Sequence, residues 1–122
     1  RSAGHGPEGH GTEVFAALRL PTGNTLIACG NGNRVIEVNP DGQTVWSIGQ
    51  NELPEITLAW VTTLELLPSG NLIVGNTHAG EANPQLFEVT PHHRVVWTFR
   101  DFKTFGNSLA AAMVLDVAGV AR

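Results

Sequence analysis

The stretch Leu20-Pro21-Thr22-Gly23-Asn24-Thr25-Leu26-Ile27 decides the fold, because the chain repeats it as Leu67-Pro68-Ser69-Gly70-Asn71-Leu72-Ile73. A second matching block follows each copy. Residues 35–46 begin Val35-Ile36-Glu37-Val38 and end at Trp46, and residues 86–97 begin Leu86-Phe87-Glu88-Val89 and end at Trp97. The second copy is slightly longer between its two halves. An internal repeat of this period is typical of propellers and solenoids.

Each copy contains short apolar segments separated by turn residues. Pro-x-Gly-Asn suits a tight turn, because proline fixes φ at the first corner and glycine or asparagine accepts a positive φ. The pattern predicts four antiparallel strands per copy in a meander. We assign residues 1–12 to an N-terminal lead-in, 13–59 to a first blade and 60–108 to a second blade. Residues 109–122 are then the inner strand of a further blade and a tail, although the Ala- and Leu-rich run 109–115 also suits a helix.

The predicted strands are apolar on both faces, as in Leu26-Ile27-Ala28 and Leu72-Ile73-Val74. A four-stranded sheet with one side in water would alternate apolar and polar residues. Sheets of this kind must be stacked face to face, which is how the blades of a β-propeller pack. Trp46 and Trp97 occupy equivalent positions, and we expect both to pack between blades. The predicted fold class is therefore all-β, with two four-stranded antiparallel propeller blades and one extra strand.

Two blades do not close a propeller, which uses roughly four to eight. Their outer faces would expose more apolar surface than a soluble monomer tolerates. We expect either a homo-oligomeric ring, in which three copies would give six blades, or a fragment of a longer propeller, which the start at Arg1 also suggests. The extra strand, at 113–117, could complete a sheet in a neighbouring chain.

Composition excludes several function classes. The formal net charge is −4 and only 15% of residues are charged, so the chain lacks the excess of Lys and Arg that nucleic-acid binding requires. No apolar run approaches the roughly 20 residues that span a bilayer. The single cysteine, Cys29, cannot form an internal disulfide, and we expect it to be a buried small hydrophobe.

The strings Leu-Pro-x-Gly-Asn-x-Leu-Ile and Arg34-Val35-Ile36-Glu37-Val38-Asn39-Pro40-Asp41-Gly42-Gln43-Thr44-Val45-Trp46 resemble bacterial β-propeller repeats of the PQQ-binding-like group. They are also similar to arylsulfotransferase propellers and, more loosely, to NHL-type repeats. The resemblance covers residues 13–117 and places the two units among C-terminal blades of secreted bacterial proteins. It therefore implies a periplasmic or extracellular location.

The resemblance carries little chemistry to this chain, because fold-level likeness does not transfer activity. Quinone-dependent dehydrogenases of the group bind PQQ and Ca²⁺, but their ligand residues have no counterparts that we can assign here. Arylsulfotransferases of the group use histidines in the central channel, and only His10 and His78 are placed where such a role is conceivable. We therefore predict no cofactor and no catalytic residue.

The meander places all long connections at one end of the blades, and long loops concentrate function. We expect ligand or partner binding on this loop face. The candidate binding residues are Trp60, Thr62, Thr63, Asn76, His78, Asn107 and Ser108. His78 is either a ligand or acid–base residue or a loop histidine bonded to backbone. Trp60 is either core between blades or an aromatic platform for a sugar.

Other candidates are weaker. A metal site needs three or four converging ligands, and His10 and His78 supply two at most. The turn residues His92 and His93 lie at the opposite end, where we expect them to be solvated. Glu37 and Glu88 are equivalent within the repeat, so they fall one per blade and cannot form an acid–base pair.

Three functions stay open at this point. The first is a non-catalytic binding or scaffold module that assembles into a closed ring. The second is a C-terminal fragment of a larger propeller enzyme, similar to PQQ-dependent dehydrogenases or arylsulfotransferases. The third is a small lectin-like ring that binds glycans. The molecular mass in solution distinguishes the fragment from the two ring assemblies. A fragment would be a monomer that is prone to aggregate.

Overall fold

The protein is nearly all-β in the computed structural model, which describes residues 14–115. The strands of the first sheet are β1 (Ala16–Arg19), β2 (Thr25–Ala28), β3 (Val35–Val38) and β4 (Thr44–Ile48). Those of the second sheet are β5 (Trp60–Leu66), β6 (Leu72–Thr77), β7 (Leu86–Val89) and β8 (Val95–Phe99), and a single helical turn, α1 (Phe102–Phe105), follows.

Both sheets are antiparallel meanders in which each strand pairs with the next one in sequence. The strand orders are β1-β2-β3-β4 and β5-β6-β7-β8. The predicted fold class is therefore confirmed: the chain is all-β and forms two four-stranded antiparallel sheets. They form no closed barrel within residues 14–115, and the arrangement fits two neighbouring blades of a partial propeller.

The sequence repeat is preserved in the turn geometry of the two sheets. Gly23 and Gly70 adopt φ values of 93° and 90°, a backbone region that glycine enters without steric cost. The asparagine that follows each glycine reaches the third strand of its own sheet. Nδ2 of Asn24 donates to Oε1 of Glu37 at 2.6 Å, and Nδ2 of Asn71 donates to Oε1 of Glu88 at 2.7 Å. The two glutamates therefore have the same structural role.

A single hydrophobic core lies between the two sheets. Its buried side chains come from both sheets and from the 49–59 connection: Leu26, Ala28, Val35, Ile48, Leu53, Ile56, Leu58, Val61, Leu72, Val74, Phe87 and Val89. Gly30 and Val61 also bridge the sheets through two backbone hydrogen bonds of 3.1 and 3.3 Å. The first sheet thus buries one face against the second.

We call the face that carries the repeat tryptophan the front face of each sheet. The front face of the first sheet, with Leu26 and Trp46, packs on the back face of the second, with Leu66 and Leu72. Nε1 of Trp46 donates to the carbonyl oxygen of Pro91 at 2.8 Å, across the interface. Trp46 therefore packs between sheets, as expected from the repeat.

Trp97 does not pack between sheets in this chain, contrary to the expectation. It lies on the front face of the second sheet, opposite Glu88 in the register, and 45% of its surface is exposed. Its indole stacks on Phe99 with 6.5 Å between ring centroids. The reason is that no further sheet of residues 14–115 lies on that side.

Two other predictions differ from the structure. Residues 109–115 form neither the predicted strand nor the alternative helix, and residues 116–117 of the extra strand lie outside the described range. The 101–108 connection contains α1, which the sequence analysis missed. Asp101 caps this turn, because its Oδ1 accepts from the backbone N–H of Thr104 at 3.0 Å. The proposed lead-in, residues 1–12, lies outside the described residues.

Candidate functional site

The long connections meet at one end of the two sheets, as the meander predicts. Four segments contribute to this loop face: residues 30–33, 49–59, 76–84 and 101–108. They are joined by hydrogen bonds rather than by apolar packing alone. The bonds come mostly from side-chain amides, which can satisfy backbone donors and acceptors that irregular segments leave open.

Two buried asparagines fix the end of the 49–59 connection. Nδ2 of Asn33 donates to the carbonyl oxygen of Ala59 at 2.7 Å. Oδ1 of Asn76 accepts from the backbone N–H of Ala59 at 2.7 Å, and its Nδ2 donates to the carbonyl oxygen of Thr57 at 3.0 Å. Both side chains are almost fully buried, at 2% and 1% exposure. The backbone entering β5 is therefore held from both sheets.

A third amide, that of Gln85, fixes the 101–108 connection. Its Oε1 accepts from the backbone N–H of Asp101 at 2.7 Å, and its Nε2 donates to the carbonyl oxygen of Gly106 at 2.7 Å. Asn107 then joins this segment to the 76–84 loop. Its carbonyl oxygen accepts from the backbone N–H of His78, and its Oδ1 accepts from that of Gly80, both at 3.0 Å.

Three rings from three segments come together on the loop face. The indole of Trp60 and the imidazole of His78 are nearly parallel, with 5.1 Å between centroids and 20° between planes. Phe15 meets the same indole edge-on at 5.6 Å and 83°. Both arrangements are favourable for aromatic pairs. His78 also adopts φ of 59°, a left-handed conformation that is unusual for a residue with a β-carbon.

The structure divides the predicted binding residues into two groups. His78, Asn107 and Ser108 are exposed and Trp60 is partly exposed, so these four form a continuous patch with Phe15. Thr62, Thr63 and Asn76 are buried, at 3%, 8% and 1% exposure. Oγ1 of Thr62 and Oγ1 of Thr77 share a hydrogen bond of 3.2 Å. The buried three are placed to support the site rather than to touch a ligand.

Phe15 and Gln85 were missed by the sequence analysis. Phe15 precedes β1 as Trp60 begins β5, and since β1 and β5 are the inner strands of their sheets, both rings reach the same end. The repeat itself did not indicate this contact, because it aligns Phe15 with Thr62 rather than with Trp60. Gln85 also carried no sequence signal, because its role depends on the path of the 101–108 connection.

The other chemistry-bearing residues do not converge. Within residues 14–115 no group of three or more His, Cys, Asp or Glu side chains could hold a metal ion, and the second weak metal candidate, His10, lies outside that range. Cys29 is buried, and its burial raises the pKa of the thiol, while the nearby positive charge of Arg34 opposes the shift. A protonated, buried thiol is a poor nucleophile.

One histidine at the opposite end differs from expectation. His93 is partly buried, and its ring meets that of Trp46 edge-on at 5.6 Å and 76°. It therefore contributes to the contact between the sheets instead of being simply solvated, whereas His92 is exposed as predicted.

No family model matches the chain, and no curated protein matches it. Among solved structures, a protein of unknown function from Bacteroides caccae is similar in fold, with a TM-score of 0.67 and 30% sequence identity. The match covers 77% of this chain and 37% of the other, so the chain spans well under half the length of that neighbour. The similarity to PQQ-like propeller repeats stays an expectation. No helix within residues 14–115 is long and apolar enough to cross a membrane.

Proposed function

We propose that the chain is a non-catalytic binding module of the β-propeller type, which binds a ligand or partner on the loop face. The observation that supports this best is the ring pair of Trp60 and His78. The imidazole is exposed, yet its position is fixed by the stacking and by the backbone hydrogen bond to Asn107. A fixed, exposed ring beside exposed polar groups is a favourable arrangement for binding, because little side-chain entropy is lost.

The ligand class that suits this patch is small, flat and polar. His78 presents its outer ring face and edge nitrogens, and the exposed Asn107 and Ser108 add polar groups next to it. The rings of His78 and Phe15 both lie against the indole of Trp60. A sugar stacked on the indole face that His78 covers would need the imidazole to move, so we place the binding surface on His78 instead.

A second candidate has support from one observation. The chain spans only 37% of its structural neighbour, as a few blades of a longer propeller would. In that case the module contributes its loop face to a larger ring, and any chemistry would come from other blades. The binding proposal for the loop face is the same in both cases.

Nuclear magnetic resonance with the whole chain tests the proposal. Libraries of aromatic heterocyclic fragments and of simple sugars are added to ¹⁵N-labelled protein, and amide shifts are followed. We expect the shifts to cluster at His78, Gly80, Asn107 and Ser108 and to disappear in His78→Ala. A matched control, His92→Ala, changes an exposed histidine at the opposite end and should keep them. Clustering elsewhere, or no shift with any compound, would refute the proposal.

A further inference from the structure

The front faces of the two sheets carry matching residues, but within residues 14–115 only the first set has another sheet packed on it. Leu20, Leu26, Glu37 and Trp46 of the first sheet line a cavity of 90 Å³ that the second sheet also lines. Their equivalents in the repeat are Leu67, Ile73, Glu88 and Trp97. These four line an open groove of 580 Å³ on the front face of the second sheet. The molecule therefore contains the same contact surface twice.

The covered set shows what this surface binds. The second sheet closes the first cavity with Leu66, Gly70, Leu72 and Pro91 of its back face. Pro91 also accepts the hydrogen bond from Nε1 of Trp46. Within residues 14–115, the segment that lies over the second set is 109–115, through Val114. That segment is fixed at its start, where Oγ1 of Thr77 donates to the carbonyl oxygen of Leu109 at 2.6 Å, but it leaves Trp97 45% exposed.

The back face of the first sheet carries the counterparts that would close the open groove. By the repeat, Arg19, Gly23, Thr25 and Pro40 stand where the second sheet has Leu66, Gly70, Leu72 and Pro91. Arg19 is exposed, and it follows Leu18, which packs towards the core, so strand alternation places Arg19 on the back face. Leu66 and Glu37 line the same cavity. Arg19 would therefore line the equivalent groove together with Glu88, the equivalent glutamate, whose charge is opposite.

We propose that the front face of the second sheet binds the back face of the first sheet in a second copy of this chain. The contact repeats the internal interface: Nε1 of Trp97 donates to the carbonyl oxygen of Pro40, and Arg19 pairs with Glu88. Strand β1 of the second copy takes the inner position next to the second sheet. Residues 109–115 hold that position in the single chain, but they pair with no strand in the described part of the chain. This contact rests on the propeller-type architecture proposed above, and it specifies which surfaces join when copies of the chain assemble.

Such a contact joins two different surfaces, so it is heterologous and propagates head to tail. The addition of copies stops when the rotation between successive copies closes a ring. This property gives a test that a front-to-front or back-to-back dimer cannot pass. A copy blocked on its front face still has an intact back face, and a copy blocked on its back face still has an intact front face. Mixing the two blocked copies must therefore give a dimer and nothing larger.

Sedimentation velocity on the full chain measures this. The wild type is expected to form multiples of the 13.0 kDa chain that grow with concentration until the ring closes. Trp97→Thr blocks the front face and Arg19→Glu blocks the back face, and each is expected to weaken association at least about tenfold, as for a central interface residue. An equimolar mixture of the two is expected to give twice the mass of one chain. Arg100→Glu is the matched control, because Arg100 is also exposed and also donates one bond to a backbone carbonyl.

Several results would overturn the proposal: a wild type that stays monomeric at all concentrations, association that neither variant weakens, or a mixture that stays monomeric. Circular dichroism checks that each variant is folded. If Trp97→Thr is not, Trp97→Phe keeps an aromatic ring but removes the Nε1 donor, and it is expected to weaken association by less. The altered residues lie away from His78 and Asn107, so fragment binding to the loop face is measured independently in the same variants. Loss of one behaviour without the other shows which proposal has failed.

Discussion

Asn76 gives the sharpest test of how the loop face is built. In Asn76→Ala, the backbone N–H of Ala59 loses its acceptor and the carbonyl oxygen of Thr57 loses its donor. Ala59 is only 2% exposed, so water cannot replace the lost acceptor without a local rearrangement. The substitution therefore removes two hydrogen bonds and leaves one buried donor unsatisfied.

The expected cost follows from these two effects. A buried donor left without a partner costs about 1–3 kcal/mol, and the bond to the more exposed Thr57 adds about 0.5–1 kcal/mol. We expect Asn76→Ala to lower the free energy of unfolding by about 2–4 kcal/mol. Urea unfolding followed by far-ultraviolet circular dichroism measures this quantity, and an unchanged slope would show that the denatured state is unaffected.

Asn107→Ala provides the matched control. Asn107 is also a loop-face asparagine, but it is exposed, and its side chain accepts a single bond, from the N–H of Gly80. Water can replace that acceptor, so the expected cost is below about 1 kcal/mol. Equal costs for the two substitutions would refute the argument that burial of the amide makes Asn76 a support of the site.

Three further predictions concern other parts of the molecule. His93 adopts φ of 64°, and the equivalent residue of the first sheet is Gly42. Both His93→Gly and His93→Ala lose the contact with Trp46, but only alanine keeps a β-carbon on the strained backbone. Urea unfolding should therefore show His93→Gly to be more stable than His93→Ala by about 1 kcal/mol. A β-carbon at Gly75 would lie 2.8 Å from Cβ of Thr63, so Gly75→Ala should lower the free energy of unfolding by about 1–3 kcal/mol and lower the thermal midpoint. Adding Thr63→Ser should recover less than half of the lost stability, because the clash with Cβ persists. Because burial raises the pKa of Cys29, less thiolate is present at a given pH than in the unfolded chain; labelling by a disulfide reagent at pH 8 should therefore be at least about tenfold slower in the native protein than in urea, and equal rates would contradict the burial.

Much of the fold could be predicted because both copies of the repeat carry the same pattern of strands and turns. The Pro-x-Gly-Asn turns, the strand alternation and the equivalence of Glu37 and Glu88 depend on local dihedral preferences and on side-chain direction, which sequence determines. The 109–115 segment was predicted wrongly because a strand forms only when a neighbour offers backbone partners. Trp97 is exposed for a related reason, because no sheet within residues 14–115 lies on the front face of the second sheet.

The candidate site was predictable in position but not in contacts. Meander topology places the long connections together, and that was enough to select Trp60, His78 and Asn107. Whether a selected polar residue faces solvent or supports a loop depends on the path of the backbone, and Asn76 and Thr62 are buried for this reason. The stacking of His78 on Trp60 also required φ of 59° at His78, which its sequence neighbours did not indicate.

The placement of the three tryptophans has a practical consequence, since the chain contains no tyrosine. Its ultraviolet-excited emission therefore comes from these indoles alone, and each samples a different environment: one between the sheets, one against an imidazole and one half open to solvent. Replacing any two by phenylalanine would leave a single optical reporter. The three resulting proteins would follow the opening of the core, occupancy of the loop face and contact between copies as separate signals.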